Sequence, residues 1–170
     1  MLPVFFASFV HTARLRRGQH ITQQPSEDVS CHTAFDSMSV LKAYIVEDSP
    51  VILDSLIALL EEMVPVQVVG TADNEPTAVS WLSNPANDHD LVIIDIFLKR
   101  GSGLGVLKSL HGKAAGRRLV VLSNYATADM RRTCRQLGAD RVFDKSTEID
   151  ALVQYCDALA AGETGPGVPS

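Results

Sequence analysis

The chain has 170 residues, 46% of them hydrophobic, and a net charge of -5 at neutral pH. That length fits one domain with some tail and is ample for a packed core. The acidic balance argues against direct nucleic-acid binding, and no apolar run approaches the roughly 18 residues that span a membrane.

Residues 1–38 differ in character from the rest of the chain. Leu2 to Val10 is apolar, and His11 to Gln24 is polar and basic. No basic residue precedes the apolar piece and no A-x-A-type site comes after it, so export is not expected. The stretch reads as a disordered N-terminal extension or as a start assigned too far upstream. The second reading is favoured, because regular patterning begins just after Met38.

Leu41 to Val46 is an apolar run that ends in Glu47-Asp48. Ser49 and Pro50 supply an N-cap and a first helical residue. The helix they open carries Ile52, Leu56, Leu59, Leu60 and Met63 at near-helical spacing. Val66 to Val69 is a second strand, closed by Gly70. Asn74 caps a second helix, with Pro76 in its first turn and Trp81 as packing, that stops near Asn84-Pro85. Asp90 to Ile94 is a short β-branched run, read as a strand buried on both faces. It stops at Asp95 and passes into a loop holding Gly101-Ser102-Gly103.

Leu104 to Leu110 is a third helix, ended by His111-Gly112. Arg118 to Leu122 is a fourth strand, ending at Ser123-Asn124. Thr127 to Leu137 is a helix stopped by Gly138. Its Arg131, Arg132 and Arg135 read as a solvated face, with part of a partner surface as the sharper alternative. Arg141 to Phe143 is a short fifth strand, followed by Asp144 and Lys145. Ser146 or Thr147 caps a last helix from Ile149 to Ala160. His89 and His111 read as surface residues. The three cysteines, Cys31, Cys134 and Cys156, form no metal-ligand or CxxC pattern and read as thiols of a reducing, cytoplasmic compartment. Residues 162–170 are Gly/Pro-rich and read as a disordered tail.

Five alternations of strand and helix require crossover connections, so the expected fold is α/β: a doubly wound parallel sheet with helices on both faces. In such a sheet every strand's carboxyl end lies on one edge, where ligands bind. Glu47-Asp48, Asp95, Ser123 and Lys145 all stand at strand ends and converge there. Three carboxylates together need a cation, and an all-oxygen set without His or Cys selects a hard ion such as Mg²⁺. A carboxylate beside Mg²⁺ is also a nucleophile toward phosphorus. The charge of its phosphorylated form would be met by the ion, Lys145 and the Ser123 hydroxyl.

The segment from about Val40 to Ala161 resembles the receiver domain of two-component response regulators. The matching pieces are Val46-Glu47-Asp48-Ser49-Pro50, Leu91 to Leu98 around Asp95 with Gly103 eight residues on, Val120 to Asn124, and Gly138-Ala139-Asp140 leading to Lys145. The resemblance implies a flavodoxin-like five-stranded sheet of order 2-1-3-4-5 over residues 39–161. It implies that Asp95 accepts a phosphoryl group from a histidine kinase or phosphotransfer protein. Asp48, Asp95 and the backbone carbonyl of Phe97 would ligate Mg²⁺, with Glu47 acting through water. Ser123 would hydrogen-bond the phosphoryl group and Lys145 would pair with it. The chain would be a stand-alone, cytoplasmic phosphoprotein rather than an enzyme, catalysing at most its own phosphorylation and dephosphorylation. It would signal through contact with an output protein or serve a phosphorelay, away from nucleic acid and membrane, and a phosphorylation-dependent dimer is among the expected states.

The sequence departs from that pattern. Lys99 stands where the family usually has proline, and Ser146 follows Lys145 where proline is frequent. The aromatic switch position holds Val142, while Phe143, one place on, should face the other side of the sheet. Phe97 and Tyr125, each two residues past a site residue, could flank the path of a hydrolytic water. One alternative is an Mg²⁺-dependent phosphatase with an aspartyl-phosphate intermediate. Its usual second aspartate would fall at Phe97, which argues against it. A receiver that binds without phosphorylation is another, and a nucleotide or flavin module is disfavoured by the lack of a phosphate-cradling loop.

Overall fold

The computed structural model of the chain describes residues 40–113 and 116–163. The expectations for residues 1–38 and for the tail from residue 164 lie outside these. Strands and helices alternate as β1 (Leu41–Val46), α1 (Pro50–Met63), β2 (Val66–Ala72), α2 (Glu75–Leu82), β3 (Leu91–Ile94), α3 (Gly103–Leu110), β4 (Arg118–Ser123), α4 (Ala128–Gln136), β5 (Arg141–Asp144) and α5 (Ile149–Ala160). The five strands form one parallel sheet of order β2-β1-β3-β4-β5.

Side chains alternate across the strands, so each strand feeds two apolar layers. Ala43, Ile45, Ile93, Val120, Leu122 and Phe143 pack with α1 and α5. Tyr44, Val46, Val92, Ile94, Val121 and Val142 pack with α2, α3 and α4. β3 is buried at every position, as its apolar run demands. Val142 and Phe143 do face opposite sides of the sheet.

Local chemistry sets most element ends. The side chain of Asn74 accepts a hydrogen bond from Thr77 N–H and starts α2. Ser102 and Thr127 do the same for α3 and α4 through Gly105 and Met130 N–H. Four expectations change. Gly70 does not close β2, which runs on to Ala72. Gly70 lies under the stacked Tyr44 and Trp81 rings, and a Cβ there would stand 2.9 Å from Tyr44 Cε2. Neither Ser146 nor Thr147 caps α5; Glu148 is at the cap position and turns its carboxylate to Asp144 N–H and Arg131. His89 is buried at 4% exposure, tilted against Trp81 and bonded to the Asn87 carbonyl. Arg131 does not face solvent freely: it donates to Ala126 O, Val142 O and Glu148.

Among the described residues, no helix is long and apolar enough to cross a membrane.

Candidate functional site

The parallel pairing brings the ends of β1, β3, β4 and β5 to one edge. Glu47 N–H still donates to Ala72 O, and Asp95 N–H to Val46 O, so both residues are held by the last rungs of the sheet. Glu47, Asp48 and Asp95 each offer an oxygen within 4.8 Å of the others'. Such a concentration of negative charge needs compensation. Lys145 supplies it from the end of β5: its Nζ lies 2.6 Å from Glu47 Oε2 and 2.9 Å from Asp95 Oδ2. All three side chains are nearly removed from solvent. Burial opposes charge on Lys145, but hydrogen bonds and attraction from Glu47 and Asp95 outweigh it and hold its pKa above the usual lysine range.

Three of the remaining carboxylate oxygens are aimed by the backbone. Ser49 sits at the N-cap of α1, yet its hydroxyl makes no cap bond; its N–H donates to Glu47 Oε1 at 3.0 Å. Asp48 Oδ2 accepts from Lys99 N–H at 2.9 Å. Asp95 Oδ1 accepts, among the described residues, a long bond from Phe97 N–H, at 3.4 Å. The Phe97 ring is exposed and meets the exposed Tyr125 ring edge-on, centroids 5.4 Å apart. Ser123 is fully buried at the end of β4; its Oγ accepts from Tyr125 N–H, and its carbonyl accepts from Lys145 N–H.

The turn after Asp95 is held tightly. Gly103 N–H donates to Ile96 O, and a Cβ on Gly103 would fall 2.1 Å from the Asp95 carbonyl oxygen. Glu75, at the start of α2, clasps the same loop: its N–H donates to Arg100 O and its Oε2 accepts from Ser102 N–H at 2.7 Å. Gly101 and Gly105 leave room for that carboxylate.

Among the residues picked from the sequence, direct contacts therefore join Glu47, Asp95 and Lys145, with Asp48 beside them. Ser123 and Phe97 adjoin through neighbouring strand and loop. Lys99 and Glu75 were not picked as site residues. A lysine in place of a family proline was the one available signal for Lys99; nothing marked Glu75.

The donor set is three carboxylates with no imidazole or thiolate, which suits a hard, oxygen-seeking divalent ion. With Lys145 as an adjacent fixed cation, the edge can also neutralise an anion built on one of these carboxylates.

Residues 43–157 match the family model of the response regulator receiver domain. A nitrate/nitrite response regulator protein homolog from Haemophilus influenzae is 28% identical over 125 residues, covering 72% of this chain and 58% of that protein. A LuxR-family two-component response regulator from Aurantimonas superposes with a TM-score of 0.65 at 21% identity, over 74% of this chain and 88% of that one. A chain of the CheX–CheY–BeF₃–Mg²⁺ complex from Borrelia burgdorferi superposes with a TM-score of 0.61 at 20% identity, over 67% and 84%. At these identities the structures share the fold. The chain spans little more than half the length of the Haemophilus relative.

Proposed function

The chain belongs to the response regulator receiver domain family, and from that premise we propose that it is phosphorylated on Asp95 by a histidine kinase or phosphotransfer protein. The observation that carries this reading is the Lys145 ammonium bridging the buried Glu47 and Asp95 beside a third carboxylate, Asp48. Asp95 Oδ2 is held by Lys145, whereas Oδ1 has one long hydrogen bond and is the freer nucleophile. In the transfer, that oxygen bonds to phosphorus as the donor's P–N bond breaks, and the departing imidazole takes up a proton. Lys145 then stays beside the new anion, and the Ser123 hydroxyl turns from Tyr125 N–H toward it.

Asp48, Asp95 and the Phe97 carbonyl would hold Mg²⁺, with Glu47 acting through water. When bound, the ion neutralises charge on the phosphoryl oxygens. The Borrelia complex carries Mg²⁺ and BeF₃, which accords with this assignment. The unpaired, buried thiols of Cys134 and Cys156 support a reducing, cytoplasmic setting. Output is by protein contact, with phosphorylation biasing the surface around α4 between two states.

Incubation with acetyl phosphate and Mg²⁺, read by intact mass, tests the proposal. Wild type should gain one phosphoryl group, and neither Asp95→Asn nor chelator-treated protein should. Equal gain by Asp95→Asn would overturn it.

A further inference from the structure

Lys99 makes three contacts with Asp48 across 51 positions of sequence. Its N–H donates to Asp48 Oδ2 at 2.9 Å, and its ammonium donates to the Asp48 carbonyl at 3.1 Å. The same ammonium stands 3.8 Å from Asp48 Oδ2. Lys145 is committed to Glu47 and Asp95, so the carboxylate that Lys145 does not reach is attended by a second lysine. The two differ in environment. Lys145 is 8% exposed and fixed between two oxygens. The Lys99 side chain is 75% exposed, against 14% for Asp48, and is free to swing away.

We propose that Lys99 sets the affinity of the metal site, acting as a built-in competitor for Asp48. Its ammonium neutralises the Asp48 carboxylate and repels a divalent cation that approaches the same oxygen. Its amide fixes Oδ2 whatever the side chain does. The site therefore binds a divalent ion more weakly than its three acids alone would, and occupancy rises only where the ion is abundant enough to displace the ammonium. A proline at this position would carry neither the charge nor the N–H. The inference rests on the proposed metal role of Asp48.

An exposed ion pair is worth up to about 1 kcal/mol, or roughly fivefold in affinity. Mn²⁺ binding to the full chain, followed by water-proton relaxation, reads this without phosphorylation. Lys99→Ala, which keeps the amide, should bind Mn²⁺ more tightly at low salt, by up to about fivefold, and the gain should shrink at high ionic strength. Lys99→Arg, which keeps the charge, should bind as wild type does. In an Asp48→Asn background, Lys99→Ala should bring no such gain, because the effect runs through that carboxylate. Unchanged or weaker binding in Lys99→Ala overturns the role of Lys99 while leaving the metal site standing. An equal gain in the Asp48→Asn background reduces it to general surface charge and also overturns it. Absence of Mn²⁺ binding in every protein overturns this inference and the metal reading together.

Discussion

Lys145 and Glu47 lie 98 positions apart in the chain and 2.6 Å apart in the fold, with Asp95 on the ammonium's other side. Breaking a buried pair leaves its partner charged and unsolvated, at about 3–5 kcal/mol. Lys145→Met keeps the stem's packing and deletes the charge. It should lower stability in urea by about 3 kcal/mol without divalent ions, and Mg²⁺ should restore more stability to the variant than it adds to wild type. A variant as stable as wild type in the presence of chelator would show that the pair carries little.

The glycines after Asp95 should differ in tolerance. At Gly103 a new Cβ meets a backbone atom, the Asp95 carbonyl oxygen, at 2.1 Å. That clash can be relieved only by moving the Asp95 peptide itself. Gly103→Ala should cost about 2–3 kcal/mol and impair phosphorylation. At Gly105 the Cβ meets the end of the Glu75 side chain, which can turn away. The lost Ser102 bond there is offset by a helix-propensity gain of about 1 kcal/mol, so Gly105→Ala should be near neutral. Urea midpoints of the two variants decide this, and equal losses would contradict it.

Alkaline pH should weaken the fold through Tyr44. Burial pushes its hydroxyl up to about 12. In the unfolded chain a tyrosine titrates near pH ~10. The folded state thus holds its proton more tightly. The associated stability is complete below about pH 10 and is lost as pH rises from there toward the folded value. By about pH 11 the loss should reach about 1 kcal/mol. Urea midpoints in this range should fall more gently in Tyr44→Phe. Some slope remains there, because burial also raises Tyr155. An unchanged slope in Tyr44→Phe would assign the effect elsewhere.

Phe97 and Tyr125, each two residues past a site residue, are exposed and meet edge-on. If they screen the acyl phosphate from water, Phe97→Ala should shorten the phosphorylated half-life, followed by mass after removal of the donor. An unchanged half-life would remove the aromatic pair from the account.

How much of this was legible in the sequence depends on the physics of each element. Short continuous apolar runs and helical spacing exposed the five strands and five helices, because burial on both faces leaves a dense apolar signature, as in Leu91 to Ile94. Parallel topology then put Glu47, Asp95 and Lys145 on a common edge without any knowledge of distance. Features set by tertiary contact were hidden. Gly70 looked like a stop, but it is a strand residue made small by the Tyr44–Trp81 stack. His89 sits in a polar loop whose spelling says nothing of burial beneath Trp81. Arg131 shares a helix with Arg132, yet it spans to β5 and the cap of α5 while Arg132 pairs locally with Asp129. The Lys99 bond to Asp48 runs through a backbone N–H, which no residue pattern reports.

The most direct measurement is the position of the phosphoryl group. Protein treated with acetyl phosphate and Mg²⁺, reduced with borohydride and digested, should yield one altered peptide, with the aspartyl phosphate at residue 95 converted to homoserine. Conversion at Asp48 or Glu47 in place of Asp95, or at none of the three, would contradict the account.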